Sequence, residues 1–257
     1  MPGVRAALDL LISLTMRDVR VRYQLSILGL YWGILNPLLM ALIYGFVFSD
    51  VFHSKGISGV PYLLFIFSGM TFWGLFSNSL TSSVNSLTGN ASMLSKVPFP
   101  RIILPTSSVL ARFIDFVFSL CVLLVMIVVY HRHITIVALW DVLLVVTQLL
   151  FTLGLGYVVS SLNVFFRDVS QILNLVLMIW LYLSPVFYVP SQVPVSLRWV
   201  TRYNVIGNIV HMEVAALINN TLPSIEDVLF CLAVSVVVFV VGWLVFISVQ
   251  DKFAEVM

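Results

Sequence analysis

Long runs free of Asp, Glu, Lys, Arg and His dominate the chain, covering residues 23–49, 56–95, 116–130, 142–166, 169–197 and 228–250. A helix needs about 20 apolar residues to cross a hydrocarbon core of roughly 30 Å. The runs therefore predict six transmembrane helices, each satisfying its own backbone because lipid offers no hydrogen-bond partner. Within the second run the apolar part is 62–80, followed by a tail rich in Ser, Asn and Thr. The third run is short. It reaches crossing length by extending back through 102–111, provided that Arg112 and Asp115 are accommodated inside it.

Two further segments break the simple pattern. Val4, Leu8, Leu11 and Ile12 recur at helical spacing while Arg5, Asp9 and Ser13 face elsewhere, which predicts an amphipathic helix on the membrane surface. Its apolar stretch is bounded by Asp9 and Arg17 with no small-residue cleavage site after it, so it does not read as a signal peptide. Residues 189–223 are interrupted by Pro190, Pro194 and Pro223, yet carry Trp199, Tyr203, Val205, Ile206 and Ile209. That is too apolar for a solvated loop and predicts re-entrant outer helices between crossings five and six. The expected fold is an all-α integral membrane protein forming one domain over 1–257. An interfacial helix (1–22) precedes the six-helix membrane domain (23–250) and a cytoplasmic tail (251–257).

Composition agrees. Of 257 residues, 61% are hydrophobic and 9% charged, against about a quarter charged in soluble domains. This excludes a soluble enzyme, a nucleic-acid-binding module and a disordered chain. The net charge of +2 names no partner, but its distribution orients the chain. Arg5, Arg17, Arg20, Arg22, Lys96, Arg101, Arg167 and Lys252 fall on the side of the termini, whereas Lys55, Arg132, Arg198 and Arg202 fall opposite. Basic residues gather on the cytoplasmic face, so both termini are expected there. Cys121 and Cys231 lie in apolar runs and suggest neither a disulfide framework nor a metal site.

The chemistry is conspicuous for what it lacks. No Gly-x-x-x-x-Gly-Lys-Ser/Thr loop exists to hold ATP phosphates, and the Gly-x-Ser-x-Gly and His-Glu-x-x-His patterns are missing. No catalytic residue and no metal is expected; His131-Arg132-His133 is too close-spaced and isolated for zinc. Arg112 and Asp115, three apart on one helix face, form the one candidate intramembrane charge pair. A structural pair is favoured over a proton relay, which needs further acids or histidines along its path. Trp32 and Asn36 are one turn apart, and Gln171, Asn174, Met178 and Tyr182 share a face of the fifth crossing. Such a polar and aromatic stripe suits a path for sugars. It suits glue between helices equally well, and both readings stand.

Three blocks of residues resemble the permease subunits of ABC-2-type exporters of O-antigen, capsule and teichoic acid. The first carries Arg17, Asp18, Arg22, Tyr23, Ser26, Leu28, Gly29, Trp32, Pro37 and Leu38. The second runs from Ser68-Gly-Met-Thr-Phe-Trp73 through Asn90-Ala-Ser92 to Lys96-Val-Pro-Phe-Pro-Arg101. The third is Leu162-Asn-Val-Phe-Phe-Arg-Asp168, followed by Ser184-Pro185-Val186 and Tyr203-Asn204; Val205 stands where the family usually has proline.

The resemblance implies a homodimer, each copy bound to a separate ABC ATPase that carries the ATP and Mg, with no cofactor in this chain. Asn90, Lys96, Pro98, Arg101, Arg167 and Asp168 would couple to that ATPase. Trp32, Asn36, Gln171, Asn174, Met178 and Tyr182 would line the channel. The implied substrate is a lipid-linked glycan crossing the bacterial cytoplasmic membrane. The alternatives are an ABC-2 permease for a drug or lipid, or a membrane-embedded transferase.

Overall fold

The computed structural model describes residues 4–24, 60–94 and 99–253, with isolated positions between 32 and 47. Most of the first predicted crossing therefore lies outside the described residues, as do Asn36, Lys96 and Pro98. The described helices are α1 (Val4–Tyr23), α2 (Tyr62–Val84), α3 (Ala91–Leu94), α4 (Ile103–Val129), α5 (Trp140–Phe165), α6 (Val169–Leu183), α7 (Arg198–Tyr203), α8 (Val205–Ile218) and α9 (Ile225–Val249). Four helices among them are long and apolar enough to cross a membrane: α2, α4, α5 with the turn that precedes it, and α9. They coincide with the second, third, fourth and sixth predicted crossings.

Helix α2 occupies the centre, packed by α4, α5, α6 and α8. It is buried nearly all round, which its composition explains. Phe67, Phe72 and Phe76 are fully enclosed, with the Phe76 ring 5.3 Å from Trp180 and that of Phe72 5.6 Å from Phe116. Its hydroxyls bond within the helix: Ser68 donates to the Phe65 carbonyl and Thr71 to the Phe67 carbonyl, both at 2.7 Å. A serine or threonine satisfied in this way can be buried in an apolar setting without a tertiary partner.

Helices α5 and α9 form the most extensive pair. Their backbones touch where Gly154 faces Gly242. A Cβ on Gly154 would lie 2.5 Å from the Val238 carbonyl oxygen, and one on Gly242 would run into the Gly154 carbonyl. Small residues permit this approach, which apolar chains of ordinary size would hold apart. Tyr157, Phe239, Phe246 and Phe253 then fill the inner end of the seam with tilted and edge-on rings.

The fifth predicted crossing, 169–197, is not one continuous helix. Helix α6 has 15 residues, so at 1.5 Å per residue it is about 22 Å long. It stops at Leu183 because Pro185 supplies no N–H and restricts the residue before it to extended backbone, as Ser184 shows with ψ 143°. The chain then passes through short turns into α7 and α8, so the 189–223 segment does contain short helices.

Replacing Gly154 or Gly242 by alanine should force α5 and α9 apart. We expect a loss of about 1–3 kcal/mol, the scale of overpacking, read as a lowered thermal transition of the detergent-solubilised protein. The same change at Gly89, whose Cβ would meet nothing within 4 Å, should leave the transition in place.

Candidate functional site

The motif residues of α1 are joints between elements. Ala7, Leu10, Leu11 and Leu14 turn one apolar face of α1 onto a cluster that includes Leu87, Ile103, Leu104 and Phe246. Leu8, Ile12 and Met16 form a second apolar stripe that stays exposed, as an interfacial helix requires. At its end, Arg17 donates from Nη2 to the Asp18 carboxylate and to Oδ1 of Asn90, each at 2.9 Å. Ser108 of α4 donates to the other Asp18 oxygen at 3.5 Å.

The sequence pairs Asp115 with Arg112. In the structure that pair is the looser part of a larger junction. The Tyr23 hydroxyl donates to Asp115 Oδ1 at 2.7 Å, and Arg22 donates to Oδ2. Arg112 reaches the same oxygen at 3.4 Å and turns its Nε onto Ser82 of α2 at 2.6 Å. One carboxylate thus ties α1 to α4, and Arg112 ties α4 to α2. The Arg22 and Tyr23 partners were invisible in the sequence because 92 or more residues separate them from Asp115.

The residues expected to couple to an ATPase fall in different environments. Asn90 is half-buried and shared between Arg17 and the Ser86 carbonyl. Arg101 is turned inward, donating to the Gln250 carbonyl at the end of α9. Arg167 and Asp168 protrude with Phe166 on the exposed turn joining α5 to α6. That turn is anchored by Asn163, fully enclosed, whose Nδ2 donates to the Val84 carbonyl at 2.9 Å.

Of the expected channel residues, Gln171, Asn174, Met178 and Tyr182 are exposed along one side of α6, and Trp32 is also exposed. Leu173 and Leu177 bury the opposite side against the core. Ile172, Leu175, Val176 and Ile179 form an apolar flank beside the polar stripe.

Asn204, in the Tyr203-Asn204 match, is the knot between α6 and α8. Its Oδ1 caps α8 by accepting from the Gly207 N–H at 3.1 Å and also takes the Trp180 indole N–H at 2.9 Å. Its Nδ2 donates to Ser184 Oγ at 2.9 Å and to the Leu183 carbonyl at 3.3 Å. The end of α6 and the start of α8 are therefore held by one amide. Glu213 of α8 is completely buried, with both oxygens unpartnered among the described residues.

Membrane-length apolar helices joined by buried polar bridges, with a polar stripe left open on α6, define a multi-pass membrane protein. The chain belongs to the ABC-2 type transporter family, which matches residues 9–218. It is 32% identical over 251 residues to an O-antigen export system permease protein of Klebsiella pneumoniae, covering 97% of this chain and 95% of that one. An O-antigen export system permease protein of Myxococcus xanthus is 33% identical over 252 residues, covering 96% and 94%. A capsule polysaccharide export inner-membrane protein of Neisseria meningitidis is 20% identical, covering 72% of this chain and 70% of that one.

Three substitutions check α8 and its cap. Asn204→Ala removes a helix cap and should lower stability by about 1–2 kcal/mol, measured by thermal unfolding in detergent. Glu213→Gln keeps the shape and removes a carboxyl that has no partner, so stability should hold or rise. Glu213→Lys should prevent accumulation of folded protein, because an unpaired charge is buried.

Proposed function

We propose that this protein is the membrane subunit of an ATP-driven exporter that moves a lipid-linked cell-surface polysaccharide, of the O-antigen, teichoic acid or capsule class, across the bacterial cytoplasmic membrane. The observation that carries the reading is similarity over nearly the whole of both chains to permeases of O-antigen export. The drug or lipid permease and the transferase readings have no comparable support.

In this reading two copies pair, each with its own ABC ATPase, and both termini lie in the cytoplasm. The α6 stripe faces the path between the copies. Its exposure in a single chain supports this, since Gln171 and Asn174 in contact with lipid tails would be unfavourable. Asn90, Lys96, Pro98 and Arg101 belong to the face that meets the ATPase, and the protruding 166–168 turn belongs to it as well. Asn204 holds the outer segment that closes the path.

The test is purification of the tagged protein from native membranes, followed by ATPase assay with and without lipid-linked glycan extracted from the same cells. An associated ATPase stimulated by the glycan is the expected result; a chain that purifies without ATPase sinks the reading. Arg167→Glu alters an exposed side chain and should weaken ATPase association at least severalfold without lowering the thermal transition. Unchanged association would remove the 166–168 turn from the docking face.

A further inference from the structure

Three features converge on the C-terminal half of α1. The first is its attachment: among the described helices α1 packs chiefly along α4, and its other apolar stripe is exposed. The second is the polar ladder between the two. Ser108, Arg112 and Asp115 follow one face of α4 at helical spacing. They meet Asp18 at one rung, then Arg22 and Tyr23 about a turn further along α1. The third is the branch to the inner loop, where Arg17 holds the Asn90 side chain at 2.9 Å.

Asp115 is the most constrained member. Both of its oxygens accept from α1, and its side chain is only 15% exposed. Two guanidiniums share Oδ2, so neither arginine can leave without the other taking a larger part of the charge. In such a setting charge-assisted hydrogen bonds are stronger than neutral ones and tightly directional. Helix α1 cannot slide or roll on α4 without breaking them, since its remaining contact with the core is a set of interchangeable aliphatic side chains. The same junction extends to α2 through Arg112 and Ser82.

We infer that Asp115 is a positioning residue for transport: it clamps α1 to α4 so that a displacement of the inner loop, received through Asn90 and Arg17, moves the membrane helices rather than only the surface helix. This rests on the exporter reading above. It adds to that reading a specific mechanical link, and it assigns the Arg22, Tyr23 and Asp115 side chains to a role separable from ATPase binding and from folding. A carboxylate present only to neutralise Arg112 would have no need of Tyr23, and Arg112 would then hold the shortest bond instead of one at 3.4 Å.

The experiment uses the intact complex with its ATPase in proteoliposomes, with fluorescently labelled lipid-linked glycan extracted from the native membranes as the probe. Transport and ATP hydrolysis are measured together for the wild type, Tyr23→Phe, Arg22→Gln, Asp115→Asn and the Arg22→Gln/Asp115→Asn double variant. We expect each variant to assemble and hydrolyse ATP within about twofold of the wild type. Transport per ATP should fall about tenfold or more in Asp115→Asn, the scale of one lost charge-assisted hydrogen bond. It should fall by less in Tyr23→Phe. The double variant should be no worse than Asp115→Asn alone, because the two residues act as a unit.

Unchanged transport per ATP in assembled variants would overturn the inference. So would a loss of assembly, hydrolysis and transport in equal proportion, which marks a merely structural junction. If Asp115→Asn fails to fold, Tyr23→Phe and Arg22→Gln carry the same decision. A wild-type protein that brings no ATPase overturns the exporter reading itself, and the clamp falls with it.

Discussion

Among helices packed without water, a polar side chain has two outlets: its own helix or a neighbour. The described residues use both outlets. Ser68, Thr71, Thr152, Ser160 and Ser161 return their hydroxyls to carbonyls three or four residues back. Several longer side chains reach across instead. Gln148 donates to the Phe72 carbonyl, Asn163 to the Val84 carbonyl, and Arg112 to Ser82. The architecture follows from this division, because each bridge fixes the register of two helices that apolar contact alone would leave free to slide.

The family motifs gain a physical meaning from the same constraint. Arg17, Asp18, Arg22 and Tyr23 are four consecutive attachments of one surface helix. Asn163 attaches the end of α5 to the end of α2. Asn204 gathers Trp180, Leu183, Ser184 and Gly207 around a single amide. All of these groups join one helix to another or to a loop. They are the hinges and pins of the domain.

Much of the fold could be read from the chain, and the reason is the lipid rule: a crossing helix must be apolar over its whole length, so α2, α4, α5 and α9 announce themselves. That 189–223 contains short helices was legible from its aromatic content. What resisted was pairing between distant segments. Arg112 and Asp115 are three apart and looked sufficient for each other, while the stronger partners Arg22 and Tyr23 come from a helix outside the run. The Gly154–Gly242 contact left a trace only as two glycines in apolar runs, indistinguishable from others. The end of α6 was readable in principle at Pro185, but the apolar residues beyond it masked the break.

The shortness of α6 has a consequence for the surrounding bilayer. A helix of about 22 Å spans less than a hydrocarbon core of roughly 30 Å. The difference is met either by thinning of the lipid beside it or by non-helical chain held at membrane depth. The segment after Leu183 is built for the second solution. Val186 and Phe187 are buried, and the Tyr62 hydroxyl donates to the Phe187 carbonyl at 3.0 Å, covering backbone that a helix would have satisfied itself. In the proposed exporter, where the α6 stripe faces the path, the barrier beside it would be narrower than the membrane is thick, and a polar headgroup travelling there would have less oil to cross.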